Sequence, residues 1–226
     1  MLEDRFEFVG QVKGKLLDDY LAIGWYRTAC VVFTTHFLKP YNDERRYRVY
    51  WLRYRVEDVN LCKKNQDILK CNEGFSVTYR PFELTWELDE LHKRYASGLK
   101  FKANNDLEAL LTDVTNDIFD SYLIEVRDNG KLIYAGVLDK GEHTIEGIIN
   151  IYDPGYKKCS PGKFLMLMKY RFCQQLGITY YYPGYYMPEH PLFDYKLFID
   201  KEATEVYVPE TEQWVAYNEF IANSEQ

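Results

Sequence analysis

The sequence predicts an α+β protein with a mixed, mainly antiparallel sheet and flanking helices. Residues 122–126 and 132–138 are apolar strand patterns joined by Asp-Asn-Gly-Lys, which is typical of a tight hairpin turn. Residues 145–151 form a third strand pattern after Lys-Gly-Glu. A helical pattern and a further strand follow. Antiparallel strands succeeded by a helical crossover to another strand imply a mixed sheet.

The crossover helix and the strand after it lie within residues 147–196. The helix opens at Gly162 and would end at Gly177, and its apolar side chains recur at helical spacing: Phe164, Leu165, Leu167, Met168, Phe172 and Leu176. Residues 178–182 are a strand that Pro183-Gly184 is expected to end. A basic loop precedes the helix. This order directs free backbone N–H groups at the helix N-terminus toward whatever binds in the loop.

The remaining elements are predicted from the same kinds of pattern. The sequence predicts helices over residues 16–23, 58–69, 87–96 and 107–113, the last capped by Asn104, Asn105 or Asp106, and strands over residues 25–37, 47–56 and 75–79. The chain loosens near residues 97–106, where Ser-Gly and Asn-Asn occur. We therefore predict an N-terminal region of residues 1–100 and a C-terminal region of residues 101–226 that ends in an acidic tail.

Composition limits the class of protein. The 226 residues are 46% hydrophobic and include 21 tyrosines, enough for a full core and for aromatic surfaces beside solvent. No apolar run reaches the roughly 18 residues of a membrane span, and the first residues lack a signal-peptide order. Five cysteines without a Cys-x-x-Cys pair and four scattered histidines predict no metal site. We expect a cytoplasmic protein with no membrane partner.

The formal charge of −7 is unevenly distributed. Residues 200–226 carry a net charge of −6, so the rest of the chain is nearly neutral. Five bases and no acid lie between residues 157 and 171, and residues 39–70 hold nine bases against five acids. Either stretch could neutralise phosphates, or be an ordinary solvated face. For the lysines beside the helix N-terminus, phosphate binding is the better interpretation; for residues 39–70 the two are evenly matched.

The order of several short motifs resembles the arginyl-tRNA-protein transferase family, which includes bacterial leucyl-transferring relatives. The C-terminal motifs are Tyr152-Asp153-Pro154, a loop with Ser160 and Gly162, a long helix, Leu176-Gly177-Ile178, Gly184-Tyr185-Tyr186 and Tyr195-Lys196. The upstream ones are the segments at residues 21–27, 63–67 and 91–95. The resemblance implies a GNAT-like (acyl-CoA N-acyltransferase-like) fold. The chain departs from the family in its N-terminal cysteine cluster, where only Cys30 is present.

The resemblance also implies an activity, the transfer of an aminoacyl group from the 3′ end of a charged tRNA to the N-terminal amine of a protein. The donor ester is already activated, and an α-amine with a pKa of roughly 7.7–8.0 is partly neutral at pH 7, so no strong base is required. The enzyme must align two substrates and stabilise an oxyanion, for which backbone N–H groups at the helix start or the splayed strand end are candidates. No cofactor is implied.

Eleven residues are candidates for this chemistry. Predicted to meet the tRNA end are Lys157, Lys158, Ser160, Gly162 and Lys163. Tyr152, Asp153 and Tyr185 are predicted catalytic residues, although an Asp before Pro-Gly is commonly a turn residue and Tyr185 could equally be packing. Tyr181, Tyr195 and Lys196 are predicted to line the substrate pocket, and Tyr152, Tyr181 and Tyr185 could stack on the terminal adenine.

Two other functions remain open on the sequence. An acyl-CoA-dependent N-acyltransferase usually has a loop with closely spaced glycines, whereas residues 157–162 here contain one glycine and a proline without an N–H group. A non-catalytic relative that binds a tRNA end or a protein N-terminus would retain binding without turnover.

Overall fold

The computed structural model describes residues 4–40, 44–99, 106–111 and 117–224. Within them the α-helices are α1 Lys15–Ala22, α2 Lys63–Cys71, α3 Trp86–Ser97, α4 Leu107–Leu111, α5 Pro161–Leu176 and α6 Tyr217–Ser224. The strands are β1 Arg5–Phe8, β2 Tyr26–Thr28, β3 Val31–Thr34, β4 Phe37–Leu38, β5 Tyr47–Arg48, β6 Tyr50–Arg55, β7 Ser76–Pro81, β8 Ser121–Asp128, β9 Lys131–Lys140, β10 Thr144–Tyr152, β11 Tyr180–Tyr186, β12 Thr204–Val208 and β13 Gln213–Ala216. Short 3₁₀ helices span Val56–Asp58, Pro154–Cys159 and Pro191–Leu197.

Eight of these strands form one sheet in the order β13-β12-β6-β11-β10-β9-β8-β7. Its ladders are antiparallel except the pair β10–β11, which the crossover helix α5 connects. The predicted mixed, mainly antiparallel sheet with flanking helices is therefore confirmed, with the meander and parallel crossover expected of a GNAT-like fold. Strands from both sides of residue 100 contribute to this sheet.

Three apolar clusters hold the layers together. On one face, α5 buries Phe164, Leu165 and Phe172 against the central strands. Helices α3 and α4 cover β9 and the end of β10 with a leucine-rich cluster that includes Leu88 and Leu91. The N-terminal elements α1 to β3 pack with Trp51 and Tyr182 in a third cluster. Each buried apolar side chain contributes roughly 1.5–3 kcal/mol to stability, so these clusters fix the sheet that carries the site.

The structure corrects several predicted boundaries. Residues 25–37 are not one strand but β2, β3 and β4, because the chain turns at Ala29, whose φ is 49°. The helix predicted over residues 58–69 begins only at Lys63, where Asn65 accepts a hydrogen bond from the Cys62 N–H at 2.8 Å. Helix α4 is capped by Asp106, which accepts from the Ala109 N–H at 2.9 Å; the predicted caps Asn104 and Asn105 and the helix end at residues 112–113 lie outside the described residues.

Strand β11 was expected to end at Pro183-Gly184, and this is wrong. It continues to Tyr186 because the register with β6 shifts between Tyr181 and Gly184, and this bulge accommodates a proline that cannot donate to the ladder. Gly184 has a φ of 101°, which is the left-handed region that favours glycine. Because of this bulge, β11 continues beyond the residues that pair with β10.

The acidic C-terminal segment is part of the sheet. β12 pairs with β6 and with β13, and α6 packs against both C-terminal strands. Glu205 of β12 contacts Arg53 at 2.5 Å and Arg55 at 3.3 Å, and Glu210 pairs with Arg48. The acidic segment therefore neutralises arginines of the basic stretch 39–70.

Candidate active site

A cleft of about 790 Å³ opens where the two parallel strands separate. β10 and β11 pair from Thr144 with Tyr180 to Glu146 with Tyr182 and no further. Beyond that point, residues 147–150 of β10 and 183–185 of β11 line opposite walls of the cleft, and the start of α5 lines it as well. Strand edges that no longer pair with each other expose backbone groups to whatever occupies the gap.

The N-terminus of α5 reaches the cleft without a side-chain cap. Ser160 adopts a left-handed conformation with φ 52° and ψ 54° and makes no capping hydrogen bond, and Pro161 brings no N–H group. The Phe164 N–H is already bonded to the Ser160 carbonyl at 2.9 Å. The N–H groups of Gly162 and Lys163, two residues that line the cleft, therefore form the positive end of the 16-residue helix.

The 3₁₀ helix Pro154–Cys159 holds the predicted lysine loop beside this helix start. Cys159 forms a disulfide with Cys71 at the end of α2, with a Cα–Cα distance of 5.5 Å, and its carbonyl accepts from the Asn72 side chain at 2.9 Å. Lys157 lines the cleft and Lys158 does not. Among the described residues, no ion pair involves either lysine or Lys163.

Nine of the eleven predicted residues line this cleft. They are Tyr152, Lys157, Ser160, Gly162, Lys163, Tyr181, Tyr185, Tyr195 and Lys196. Lys158 and Asp153 lie outside its described lining. Asp153 accepts from the Gly155 N–H at 3.0 Å and from Lys131 at 2.9 Å. Burial alone would raise the pKa of this carboxyl, but these hydrogen bonds outweigh it and lower the pKa. Its contacts match the turn role.

The cleft tyrosines are protonated hydrogen-bond donors at neutral pH. Burial raises the pKa of Tyr152 and of Tyr185. The Tyr152 ring meets Tyr95 edge-on with centroids 4.8 Å apart. The ring of Tyr185 packs between Trp51 and Phe193, at 5.4 and 5.2 Å. These rings give the cleft aromatic walls with phenolic groups at their ends.

Lys196 is a buried cation in one of these walls. Its side chain comes from the 3₁₀ helix Pro191–Leu197, and only 8% of the residue is exposed. Nζ donates to the Tyr185 carbonyl at 3.0 Å and lies 4.2 Å from the Tyr185 ring centroid and 5.3 Å from that of Phe193. Burial lowers the pKa of this ammonium to about 7.

Sequence reasoning missed a buried charged group at the point where the strands separate. Arg27 donates to both carboxylate oxygens of Asp139 at 2.9 Å, and the two side chains are 3% and 0% exposed. The Arg27 backbone N–H donates at 2.9 Å to one oxygen of Glu146, which lines the cleft. The other oxygen, Oε2, is buried and has no hydrogen-bond partner among the described residues. A buried carboxylate oxygen without a partner is costly, which makes it a candidate for a substrate contact.

Burial is the main cause of the shifted pKa values of Glu146 and Lys169, which lie where the strands separate. It raises the pKa of Glu146 well above the ordinary value, and the nearby Asp139 carboxylate adds to the increase. On α5, burial lowers the pKa of Lys169 to about 7, and its Nζ donates to the Ile149 carbonyl at 3.2 Å. Lys169 follows Leu165 by four residues on the apolar helix face, a pattern that could have indicated a buried lysine. Glu146 had no comparable indication, because strand carboxylates are commonly solvated.

Metal and membrane features are absent from the described part of the chain. Over residues 4–40, 44–99, 106–111 and 117–224, no three His, Cys, Asp or Glu side chains are grouped so as to hold a metal ion. The helices in the same ranges are too short or too polar for a transmembrane segment.

Comparison with known proteins identifies a family. The family model for the C terminus of arginine-tRNA-protein transferase matches residues 87–204, more than half of the chain. The chain belongs to this transferase family. An aspartate/glutamate leucyltransferase of Leptospira interrogans is 22% identical over 221 residues, covering 95% of this chain and 84% of that protein. One of the same name from Alcanivorax borkumensis is 26% identical over 149 residues, covering 64% and 61%. The FemX crystal structure matches 74% of this chain and 59% of its own at a TM-score of 0.43 and 9% identity.

Membership of the arginine-tRNA-protein transferase family confirms the resemblance predicted from the motifs. The matched segment extends from α3 to the first residue of β12, so it contains both strand walls, the lysine loop and the start of α5. Tyr26, Arg27, Phe33 and Trp51 line the cleft from outside that segment. The family segment thus supplies most of the cleft, and the N-terminal elements complete it.

Proposed function

We propose that this protein is an aminoacyl-tRNA-protein transferase that moves an amino acid from charged tRNA to the N-terminal α-amine of a protein. One observation carries the proposal: the segment that matches the transferase family supplies most of the cleft, including its uncapped helix start and its lysines without ion pairs. The relatives are aspartate/glutamate leucyltransferases. We accordingly propose leucine as the transferred amino acid and a protein that begins with Asp or Glu as the acceptor, in the cytoplasm.

The donor binds at the lysine loop. Lys157 and Lys163 neutralise phosphates of the 3′ end of the tRNA, and the Gly162 and Lys163 N–H groups at the helix start donate to one of them. The terminal adenine stacks on an aromatic wall, where each stacked base contributes roughly 1–3 kcal/mol. Trp51, Phe33 and Met166 offer an apolar surface for the leucine side chain.

The reaction needs one proton acceptor and donors for an oxyanion. The acceptor amine attacks the ester carbonyl carbon, a C–N bond forms, and the amine nitrogen loses a proton to Glu146 Oε2. Phenol groups of Tyr152 and Tyr185 donate to the carbonyl oxygen as it becomes negative. The C–O bond to the ribose then breaks, and the proton held by Glu146 passes to the leaving 3′ oxygen. Burial raises the pKa of Glu146, and a carboxylate with a raised pKa is a stronger proton acceptor than an ordinary one, which suits this exchange.

A transfer assay tests the proposal. Bulk tRNA charged with radiolabelled leucine or arginine is incubated with the protein and with peptides that begin with Asp, Glu, Arg or Lys, and labelled acetyl-coenzyme A is supplied in parallel. We expect leucine to move to the Asp and Glu peptides. Transfer of arginine instead would show that the transferred amino acid is not leucine, while the proposed type of reaction would stand. Label from acetyl-coenzyme A alone, or binding of charged tRNA without transfer, would overturn the proposal in favour of an ordinary acyltransferase or a non-catalytic binding protein.

A further inference from the structure

The ammonium group of Lys196 lies in the cleft without a counter-ion. None of the ion pairs among the described residues includes it, and its hydrogen bond goes to a backbone carbonyl. One bond leaves two of the three ammonium protons available. Nζ is enclosed by the rings of Tyr185 and Phe193 and by Gly184, where an added Cβ would lie only 3.0 Å from it. The ammonium therefore has hydrogen-bonding capacity left for an anion from outside the chain.

Its burial distinguishes this cation from the lysines of the loop. Lys157 and Lys163 are partly exposed at the cleft, whereas Lys196 is 8% exposed. A tRNA phosphate is bulky, strongly hydrated and attached to a polymer on both sides, so exposed lysines suit it. A side-chain carboxylate is small and sits at the end of a flexible stem. It can therefore enter an aromatic-walled recess and give up its water to a buried ammonium.

Lys196 and Glu146 lie at neighbouring positions along the cleft. The Lys196 Nζ lies beside Gly184, where an added Cβ would come within 3.0 Å of it; Gly184 follows Tyr182 by two residues on β11, and Tyr182 pairs with Glu146. Two residues of strand span at most roughly 7 Å. An N-terminal Asp or Glu carries an ammonium and a carboxylate on one short skeleton, and each forms hydrogen bonds of about 2.9 Å. An acceptor whose amine reaches Glu146 Oε2 therefore brings its own carboxylate toward Lys196.

We propose that Lys196 recognises the side-chain carboxylate of the first residue of the acceptor protein and so restricts transfer to acidic N-termini. The inference rests on the proposed function, because it assigns the acceptor end of the same cleft. Its chemical basis is that a buried ammonium gains a charged partner from Asp or Glu, while Asn or Gln of the same shape leaves it unpaired. Lys196 is thereby a specificity-determining residue.

The test compares peptides that begin with Asp and Asn, which have nearly the same shape and differ in charge. For the wild-type protein we expect kcat/KM to favour the Asp peptide by about 100-fold or more. In Lys196→Met, which keeps the length and the apolar stem, that ratio should fall to within about threefold of unity, through the KM of the Asp peptide. Lys201→Met, which removes an exposed lysine outside the described cleft lining, should keep the wild-type ratio.

Three results would overturn the assignment. An equal loss on both peptides would give Lys196 a general role in catalysis or folding. A raised KM for charged tRNA with an unchanged peptide ratio would make it a phosphate ligand. If Lys196→Met kept the preference for the Asp peptide, Lys196 would have no part in recognising the carboxylate. Lys196→Gln, which keeps a polar end, replaces the Met variant if circular dichroism shows that the latter is unfolded.

A binding measurement separates this inference from the proposed function. Anisotropy of fluorescent Asp and Asn peptides reports acceptor recognition without any tRNA. Wild-type protein that transfers nothing, yet binds the Asp peptide at least about tenfold more tightly in a Lys196-dependent manner, would refute the transferase reaction and retain the recognition site. Transfer to Asp peptides that does not depend on Lys196 would support the transferase reaction and refute the recognition site.

Discussion

The cleft and the region where β5 and β6 meet the C-terminal segment, here called the edge, both carry many charges, and they differ in how those charges are matched. At the edge, Arg53 and Arg55 meet Glu205, and Arg48 meets Glu210. In the cleft, Lys157, Lys163, Lys196 and Glu146 Oε2 have no ionic partner among the described residues. Opposite charges of one chain therefore cancel at the edge and remain available in the cleft. Charge availability, more than charge count, distinguishes the cleft from the edge.

Among the unpaired charged groups of the cleft, Glu146 is the one whose substitution we expect to lower the transfer rate most. Glu146→Gln keeps an acceptor for the Arg27 N–H but cannot take a proton from the attacking amine. The transfer rate at saturating substrates should fall about 10²- to 10⁴-fold, the usual contribution of a positioned acid or base. Single-turnover transfer from charged tRNA measures the rate, and an unchanged urea midpoint shows that the fold is retained.

Activity of this variant within about twofold of wild type would contradict the proposed role of Glu146 as proton acceptor. The unpartnered oxygen of Glu146 would then be a structural feature of the buried Arg27–Asp139 group and not part of the reaction.

The loop lysines give the next effect. Lys157→Ala combined with Lys163→Ala should raise the KM for charged tRNA about tenfold or more at physiological salt. The slope of log affinity against log salt should become shallower by about 1.4, since each contact to a single-stranded phosphate contributes roughly 0.7. Filter binding across a salt series measures the slope.

Arg48→Ala is the matched control for this double variant, because its charge is already paired with Glu210. It should leave the salt slope unchanged. If Arg48→Ala lowered the tRNA affinity as much as the double variant does, the edge would belong to the tRNA-binding surface and the proposed contrast would be lost.

Unpairing the edge should affect stability more than activity. Glu205→Ala leaves Arg53 and Arg55 without their shared carboxylate, although Arg53 keeps its contacts with Tyr180 and Trp214, whose ring centroids lie at 4.0 and 4.4 Å. The free energy of unfolding should fall by about 1–2 kcal/mol, as for a partly buried charged hydrogen bond. Urea denaturation measures it. Transfer activity should change by less than about twofold at a temperature where the variant is folded; a loss of activity with stability intact would contradict this.

Local patterns predicted the scaffold of the site well. The hairpin β8–β9, the third strand β10 and the helix α5 each depend on a turn or a periodicity within one short segment, and the structure has all of them. The grouping of the tyrosines, the loop lysines and the helix start in one cleft follows from the order of these elements. The catalytic and binding roles of these residues stay predictions.

Long-range pairing explains what the sequence did not indicate. Arg27 meets Asp139 across 112 residues, and Arg53 meets Glu205 across 152. Whether a carboxylate such as Glu146 is buried, paired or free depends on partners that no local window contains. The bulge at Pro183-Gly184 was missed for a related reason, since a proline ends a strand unless its neighbours shift register to accommodate it.

The position of β12 has a consequence for how the ends of the chain depend on each other. β6 lies between β11 and β12, so a chain cut before residue 204 would turn β6 into an open edge strand. That edge would present unpaired N–H and C=O groups, and Arg53 and Arg55 would lose their shared partner Glu205. An open edge of this kind pairs readily with strands of other molecules, so the C-terminal segment protects the sheet against edge-to-edge aggregation.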